Sequence, residues 1–258
     1  MAKNEWWQGA VIYQIYPRSF YDTSGNGVGD LKGITEKLDY IKSLGVDAVW
    51  ISPFFKSPMR DFGYDVSDYK EIDPLFGNMD DFDHMLKEMH KRDIKLIIDL
   101  VLSHTSEDHI WFRESRKNKT NPKADWYVWA DPKEDGTPPN NWMSVFGGSA
   151  WQFDTKRKQY YYHQFIKEQP DLNVQNSEVQ DELLAMIEWW LEKGVDGFRL
   201  DALNHAMHDI LLRNNPPKKD RNVTETQSRS THPYYWQQHL YDKSQPEMIP
   251  FIKKMRAL

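Results

Sequence analysis

Short apolar runs typical of buried strands alternate along the chain with segments whose apolar residues recur at helical spacing. The strand pattern is found at Ala10–Tyr16, Ala48–Ile51, Lys95–Leu102 and Gly197–Leu200. The helical pattern is found at Ile34–Leu44, Met79–Met89, Val179–Leu191 and Pro246–Leu258. Helices that alternate with strands in this way connect parallel strands as βαβ units. The chain is therefore predicted to be an α/β protein with four βα units.

Two α/β architectures are compatible with this pattern. One is an open four-stranded parallel sheet, and the other is an incomplete (β/α)8 TIM barrel made of its first four βα units. Periodicity alone does not decide between them. The alternation is interrupted over 105–173, which is rich in Trp, Tyr, Asn, Pro and Gly and has no long helical pattern. Because structureless loops of that length are uncommon in compact domains, we expect an irregular inserted domain after the third strand.

The chain is thus expected to have three segments. The first three strands lie in 1–104, the inserted domain in 105–173, and the continuation with the fourth strand in 174–258. Within the last segment, Asn214–His232 is predicted to be a polar loop because it contains two consecutive prolines and many charges.

Composition excludes several classes of protein. The net charge is −6 with both signs interspersed, so no basic surface for nucleic acid is expected. The apolar runs are too short to cross a membrane, and without a P-loop or a GxGxxG motif no organic cofactor is predicted. The N-terminal residues lack the apolar core of a signal peptide, so a cytoplasmic location is expected, and the absence of cysteine leaves the redox compartment unconstrained.

Aromatic residues make up 14% of the chain, and many lie beside Gly, Pro, Asn or Asp. A large core with aromatic corners is one explanation of this pattern. Aromatic rings next to polar loop groups also suit a sugar-binding site, where ring faces stack on the sugar and polar groups bind its hydroxyls.

Polar residues at the strand ends are the candidates for catalysis. Arg199 and Asp201 are two residues apart, so their side chains leave the fourth strand on the same side. A neighbouring guanidinium favours the ionised carboxylate and orients it, as a nucleophile requires. Asp99 lies within the buried third strand and needs a partner, for which Arg199 is the candidate, and His104 ends that strand on the same predicted edge. A structural ion pair at a strand end is the alternative.

Two loops carry further polar groups. Tyr64 and Asp65 follow the second strand. Tyr64 can stack on a sugar ring, and Asp65 can accept hydrogen bonds from the hydroxyl groups of the sugar. The loop Asp22–Asp30 has oxygen ligands at alternate positions with glycines between them, like the first part of an EF-hand loop. A site for a hard cation is predicted there, with a metal-free glycine-rich turn as the alternative. The predicted ligands are Asp22, Ser24, Asn26, Val28 and Asp30.

These ordered motifs resemble those of glycoside hydrolase family 13, the α-amylase family, over essentially the whole chain. Asp99–His104 and Gly197–Asp201 resemble the first two conserved regions of that family. The segment Gln169–Asn173, which reads Gln-Pro-Asp-Leu-Asn, has the form typical of oligo-1,6-glucosidases and α-glucosidases. The resemblance implies a TIM barrel, represented here by its N-terminal part, and identifies 105–173 as the inserted B domain.

The resemblance also implies roles for individual residues. Asp201 corresponds to the nucleophile of a retaining mechanism, and Arg199 corresponds to its orienting partner. The residues that correspond to the substrate-binding site are Tyr64, Asp65 and His104, with Phe146, Phe165 and Gln169 as further candidates. The loop Asp22–Asp30 corresponds to the Ca²⁺ or Mg²⁺ loop of the family.

In the family, the general acid is a Glu that follows the fifth strand, a region that is absent from this chain. Retaining hydrolysis needs this second carboxyl group to protonate the leaving oxygen. We therefore expect the longer parent protein to be a glycoside hydrolase and this chain alone to be inactive.

The expected activity is that of an α-glucosidase on terminal α-1,4 bonds of short oligosaccharides such as maltose, or on α-1,6 bonds as in isomaltose. In similar enzymes a small residue after the nucleophile goes with α-1,4 activity, and Ala202 occupies that position. One alternative is a glucosyl-transferring relative of the sucrose isomerase or trehalose-forming type. Another is a non-catalytic relative, like the α-glucosidase-like heavy chains of amino-acid transporters. The oligomeric state is left open.

Overall fold

The computed structural model of the protein describes residues 5–219 and 232–258. The chain divides into two compact units. The first contains Met1–Ser57, Asp68–Leu100 and Met186–Asp201, and the second contains Pro58–Ser67, Val101–Ala185 and Ala202–Leu258. The predicted segment boundaries at 104 and 173 stay a prediction. Of the predicted polar loop, residues 220–231 lie outside the described residues.

The strands and helices alternate largely as the sequence predicts. In chain order they are β1 (Ile12–Ile15), α1 (Pro17–Phe20), α2 (Leu31–Glu36), α3 (Leu38–Ser43), β2 (Ala48–Ile51), β3 (Phe55–Lys56), β4 (Asp68–Ile72), α4 (Met79–His90), β5 (Lys95–Val101), α5 (Ile110–Ser115), β6 (Trp129–Ala130), β7 (Trp151–Asp154), β8 (Gln159–Tyr162), α6 (Ser177–Glu192), β9 (Gly197–Asp201) and α7 (Met248–Arg256). Short 3₁₀ turns occur at Leu203–His205 and Pro233–Trp236.

Four strands form one sheet in the order β1-β2-β5-β9. β1 pairs with β2 in parallel from Ile12↔Ala48 to Ile15↔Ile51. β2 pairs with β5 in parallel from Ala48↔Lys95 to Ile51↔Ile98. Because the carboxyl ends of parallel strands lie along one edge of a sheet, Asp201 at the end of β9 lies at that edge. The predicted α/β fold with a parallel sheet is confirmed.

The helices of the first unit pack an aromatic core against this sheet. Helix α4 begins with a capping box, in which Asn78 accepts the backbone N–H of Asp81 and Asp81 accepts that of Asn78. Its buried Phe82 contacts Trp190 near the end of α6, with ring centroids 5.1 Å apart. The indole N–H of Trp190 donates to the Tyr69 carbonyl at 3.0 Å, so this fully buried ring has no unsatisfied donor.

The predicted helix Ile34–Leu44 is formed as two helices, α2 and α3, which meet at Lys37. The Lys37 N–H donates to the Ile34 carbonyl at 3.1 Å, a tight i→i+3 turn that interrupts the α-helical hydrogen-bond ladder. Helix α2 begins three residues earlier than predicted because the Asp30 side chain caps it by accepting the Gly33 N–H at 2.7 Å. Position 33 accepts only glycine, since a Cβ there would lie 2.1 Å from the Tyr21 carbonyl oxygen.

The second unit contains a three-stranded antiparallel sheet in the order β6-β8-β7. The sequence predicted an irregular domain without a long helix, and the helix in this region, α5, has six residues. The core of the sheet consists of Val128, Trp142, Ala150, Trp151 and Tyr162. Part of the aromatic content of the chain is therefore explained by the core of this small sheet.

The antiparallel pair of β3 and β4 was not predicted from the sequence. The two strands are two and five residues long, and their register shifts between Phe55 and Lys56. A two-residue strand is too short to show alternation of polar and apolar residues. Within 5–219 and 232–258, no helix is long and apolar enough to span a lipid bilayer.

Candidate active site

In the first unit, Arg199 connects two carboxylates at the end of β9. Its Nη1 lies 3.1 Å from both oxygens of Asp99 and also donates a hydrogen bond to Oδ1 of Asp201. Asp99 is only 1% exposed, so a buried carboxylate is balanced by a positive charge. The guanidinium carbon lies 5.0 Å from the ring centroid of Trp50 on β2. The predicted pairing of Asp99 with Arg199 is confirmed.

Burial and the ion pair act on Asp201 in opposite directions. Burial raises the pKa of its carboxyl group, and the charge and hydrogen bond of Arg199 lower that pKa. Burial is the larger effect, so the pKa of Asp201 lies above the ordinary value of an aspartate. Arg199 therefore keeps the pKa of Asp201 from rising as far as burial alone would raise it, and it fixes the direction in which the Asp201 carboxylate points.

In the second unit, Asp65 organises the loop that follows β3. The side chain is completely buried, and its carboxylate accepts the backbone N–H groups of Arg60 at 2.9 Å and Asp61 at 3.0 Å. Phe62 in the same loop has a φ of 50°, which is unusual for a non-glycine residue. Asp65 thus holds a strained loop in shape, and its sugar-binding role stays a prediction.

His104 in the second unit is buried and neutral. Burial lowers its pKa to about 4. Its Nε2 lies 3.1 Å from the Tyr64 carbonyl oxygen, which can only accept, so we assign the ring proton to Nε2. Nδ1 then accepts from the Ser103 hydroxyl at 3.0 Å. His104 is therefore a neutral polar side chain that two hydrogen bonds hold in one orientation, and it is not a cationic acid at neutral pH.

Three of the predicted binding residues form one cluster in the second unit. The ring of Phe165 lies 5.1 Å from the ring of His104 and 5.8 Å from the ring of Phe146, measured between centroids. Phe146 is 57% exposed, so a large aromatic surface remains accessible next to the neutral imidazole. Exposed aromatic rings beside fixed polar groups are suited to stacking on a sugar.

Gln169 lies in the same unit but contacts the loop of Asp65. Its Nε2 donates to Oδ2 of Asp61 at 2.9 Å, and its Oε1 accepts the backbone N–H of Ile166 at 3.2 Å. The side chain is completely buried. Gln169 therefore connects two loops of the candidate site, and a direct contact with substrate stays a prediction.

A buried polar network that was not predicted from the sequence surrounds Asp171. Gln164 donates to Asp171 through its side-chain amide at 3.0 Å and its backbone N–H at 2.6 Å, and burial raises the pKa of Asp171 well above its ordinary value. Gln164 also bonds to His205, whose ring lies 5.3 Å from that of Phe165. Asp171 is the acidic residue of the Gln-Pro-Asp-Leu-Asn motif. The motif was therefore a signal for this network, but no role was predicted for Asp171 itself.

The five predicted metal ligands lie in one loop of the first unit, between α1 and α2. The carboxylate of Asp22 accepts N–H groups from Gly27 at 2.7 Å and Gly25 at 2.8 Å, and the hydrogen bond from Gly27 is the main cause of its lowered pKa. Its Oδ2 accepts one N–H and retains a lone pair. Asp30 binds Thr23 and caps α2.

The donor set of this loop suits a hard cation. It comprises two carboxylates, the side-chain oxygens of Ser24 and Asn26, and the carbonyl of Val28, which are ligands that Ca²⁺ accepts. Two carboxylates give modest affinity at most. In the described part of the chain, no group of three or more His, Cys, Asp or Glu side chains could hold a metal ion.

Comparisons with known proteins agree with the motifs. A family profile, the catalytic domain of α-amylase, matches residues 14–258. A probable α-glucosidase of Rhizobium meliloti (strain 1021) is 58% identical over 254 residues, which is 98% of this chain and 46% of that protein. The amino acid transporter heavy chain SLC3A1 of Rattus norvegicus is 48% identical over 255 residues, which is 98% of this chain and 37% of that protein.

Among solved structures, the α-glucosyl transfer enzyme XgtA superimposes with a TM-score of 0.96 and 58% identity, over 99% of this chain and 48% of that one. This chain thus spans less than half the length of each of these three relatives. Since the family profile covers nearly all of the sequence, the chain belongs to the α-amylase family, and its four βα units are part of that family's TIM-barrel catalytic domain.

Proposed function

We propose that the parent protein is a retaining α-glucosidase in which Asp201 attacks the anomeric carbon of a terminal glucosyl unit. The observation that carries this proposal is the network in which Arg199 binds both Asp99 and Asp201. Asp201 ends a parallel strand, and catalytic groups of TIM barrels lie at the carboxyl ends of the strands. An isolated surface ion pair would not need the buried Asp99 behind it.

The proposed reaction has two steps. A carboxylate oxygen of Asp201 bonds to the anomeric carbon while the glycosidic C–O bond breaks, and the leaving oxygen takes a proton from a general acid. Water then adds to the anomeric carbon, the ester bond to Asp201 breaks, and the general acid accepts the proton of that water. The resemblance places this acid beyond the present chain, so the contributions proposed for this chain are nucleophilic attack and sugar binding.

The proposed substrates are short α-glucosides such as maltose or isomaltose, and Ala202 favours α-1,4 bonds over α-1,6 bonds. Binding roles are proposed for Tyr64, Asp65, His104, Phe146, Phe165 and Gln169. Their support is the resemblance, together with the exposed aromatic surface beside the neutral imidazole of His104. The cytoplasmic location and the inactivity of this chain alone stay predictions.

Glucosyl transfer is a second candidate, favoured by the 58% identity with a solved α-glucosyl transfer enzyme. In that reaction a sugar hydroxyl, instead of water, attacks the ester of Asp201. The two activities share the nucleophile and differ in the acceptor. Analysis of the products formed by the parent enzyme from maltose, isomaltose and sucrose separates them.

The loop Asp22–Asp30 is proposed to hold Ca²⁺ or Mg²⁺ as a structural ion. Asp22, Asp30 and the oxygens of Ser24, Asn26 and Val28 would bind it. The ion would supply positive charge that keeps the two carboxylates and the loop in one arrangement. It has no proposed part in bond cleavage.

The nucleophile is tested with 5-fluoro-α-glucosyl fluoride, whose fluoride leaves without a general acid. After incubation and proteolysis, mass spectrometry should find the fluoroglucosyl adduct on the peptide that contains Asp201. Asp201→Asn should remove the adduct, and Asp181→Asn, at an exposed position on α6, should retain it. An adduct on a different carboxylate contradicts the assignment of Asp201, and no adduct at all favours a non-catalytic role.

A further inference from the structure

The loop between α1 and α2 contains the single Asn-Gly pair of the sequence, formed by Asn26 and Gly27. Both residues are exposed. Among the described residues, a Cβ added to Gly27 would meet no atom of a non-adjacent residue within 4 Å. Because glycine has no Cβ, its backbone nitrogen can approach the side-chain amide of the preceding residue with little steric hindrance. The reaction that such an approach permits is deamidation of the asparagine.

The side chain of Asn26 is the electrophile in this reaction. Its Oδ1 accepts the N–H of Val28 at 2.8 Å, in an Asx turn that closes over the Gly27 peptide unit. This hydrogen bond draws electrons away from the side-chain carbonyl carbon. The leaving group is the amide nitrogen Nδ2, and within 5–219 and 232–258 it makes no hydrogen bond that would retain it.

The backbone nitrogen of Gly27 is the nucleophile. Its N–H donates to Oδ2 of Asp22 at 2.7 Å, and a negatively charged acceptor increases the electron density on the donor nitrogen. Gly27 has a φ of 85°, a conformation that glycine adopts without steric cost. The loop therefore holds an activated carbonyl group beside an accessible nitrogen.

We propose that Asn26 is a deamidation site and that the aspartate formed there raises the affinity of the loop for Ca²⁺. The Gly27 nitrogen bonds to the side-chain carbonyl carbon of Asn26 and the bond from that carbon to Nδ2 breaks. Nδ2 leaves as ammonia with the proton of the Gly27 N–H. Water then opens the cyclic imide at the side-chain carbonyl to give aspartate, or at the backbone carbonyl to give isoaspartate. Water is the one reactant that the protein does not supply.

The aspartate adds a third carboxylate to those of Asp22 and Asp30 in the proposed cation site. The affinity of a Ca²⁺ site rises with the number of charged ligands. Asn26 already presents a side-chain oxygen, so the new charge requires no new path of the chain. This effect on affinity rests on the proposed cation site, whereas the deamidation itself does not.

Deamidation is measured by incubating the full chain at pH 8, digesting it under acidic conditions and detecting by mass spectrometry the replacement of –NH₂ by –OH. Asn118 is a matched control within the same chain, because it is exposed and its Oδ1 accepts the Thr120 N–H at 2.9 Å in the same kind of turn. Asn26 should convert about tenfold faster than Asn118, since Lys119 carries the Cβ that Gly27 lacks.

Gly27→Ala should slow the conversion of Asn26 to nearly the rate of Asn118. If this substitution alters the loop, the comparison of Asn26 with Asn118 in the unchanged chain decides. Conversion of Asn26 at a rate no higher than that of Asn118 overturns the proposal.

The effect on the cation is measured by calorimetric titration of freshly purified, chelator-treated protein with Ca²⁺. Asn26→Asp should lower the Kd for Ca²⁺ about tenfold relative to the unchanged chain. Asn118→Asp adds the same charge in the second unit and should leave that Kd unchanged, because salt screens a charge that does not contact the ion.

The outcomes of the titration separate the two proposals. Equal Kd values for Asn26→Asp and the unchanged chain overturn the proposed effect of the third carboxylate and leave the cation site intact. Failure of both proteins to bind Ca²⁺ overturns the proposed cation site together with this effect. The mass measurement of Asn26 is read independently of either result.

Discussion

Arg199 binds two carboxylates, Asp99 and Asp201, that differ in their exposure to solvent. The Asp99 side chain is completely buried, that of Asp201 is 18% exposed, and that of Arg199 is 37% exposed. Removing the cation from a buried carboxylate is costly because the remaining charge stays out of water. The cost is reduced here because the partly exposed guanidinium is screened by solvent. The stability of the fold and the orientation of the proposed nucleophile, Asp201, therefore both depend on the side chain of Arg199.

We expect Arg199→Met to lower the free energy of unfolding by about 2 kcal/mol, less than for a fully buried pair. Asp99→Leu in the same protein should recover part of that loss, because it removes the uncompensated charge. Urea unfolding at pH 7 measures both. Lys56→Met, in an ion pair whose side chains are 50% and 55% exposed, is the control and should lower the free energy of unfolding far less than Arg199→Met, because solvent screens an exposed pair. Equal losses for Arg199→Met and Lys56→Met would contradict this account.

The pairing at Arg199 was predictable because side chains two residues apart on a strand share a side, which requires no knowledge of loops. The hydrogen bonds of His104 and Asp65 were not predictable. They depend on backbone groups of Tyr64, Arg60 and Asp61 in a loop whose shape includes a positive φ at Phe62. A sequence gives the type of such residues but not the direction of nearby carbonyl and amide groups.

In the loop between α1 and α2, the carboxylate of Asp30 has two roles. Asp30 caps α2 through the Gly33 N–H and also binds the Thr23 hydroxyl and N–H. In the proposed metal site Asp30 is a ligand as well. Asp22 has no part in the cap, so substitution of Asp22 separates metal binding from helix capping.

After treatment with a chelator, addition of millimolar Ca²⁺ should raise the Tm of the chain by about 2–4 °C, since a ligand that binds only the folded state stabilises it. Asp22→Ala should abolish this increase. Differential scanning calorimetry with and without Ca²⁺ provides the measurement, and Mg²⁺ is compared under the same conditions. The control is Asp135→Ala, an exposed carboxylate in a turn of the second unit, which should retain the response. A Tm of the unchanged chain that is independent of both ions contradicts the proposed site.

At the level of elements, the sequence predicted the strands of the parallel sheet and helices α4, α6 and α7 within about two residues. Their apolar pattern extends over several residues and is ended by caps or glycines. The division of Ile34–Leu44 at Lys37 was not predicted, because the residues there have no Gly or Pro and the i→i+3 turn leaves the apolar spacing intact. The pair of β3 and β4 depends on contacts that a short sequence pattern does not contain.

Among the described residues of the second unit, burial lowers the pKa values of five histidines. They are His104, His109, His163, His205 and His208. Each must be neutral in the folded chain and can accept a proton more readily when the chain unfolds. The unfolded state therefore binds more protons below pH 6.5, and acid should destabilise the fold. Asp171 opposes this trend, because its pKa is raised in the folded chain.

We therefore expect the free energy of unfolding to be constant with respect to these histidines above pH 6.5 and to fall as the pH decreases from 6.5 towards 4. For a group such as His208, with a pKa of about 4, the loss between pH 6.5 and 5 is about 1.5 kcal/mol. Urea unfolding at pH 7, 6 and 5 measures this slope. His208→Phe should reduce it by the contribution of one proton, and His84→Gln, at an exposed position on α4, should leave it unchanged. A slope that is the same in all three proteins would mean that the buried histidines do not link folding to protons.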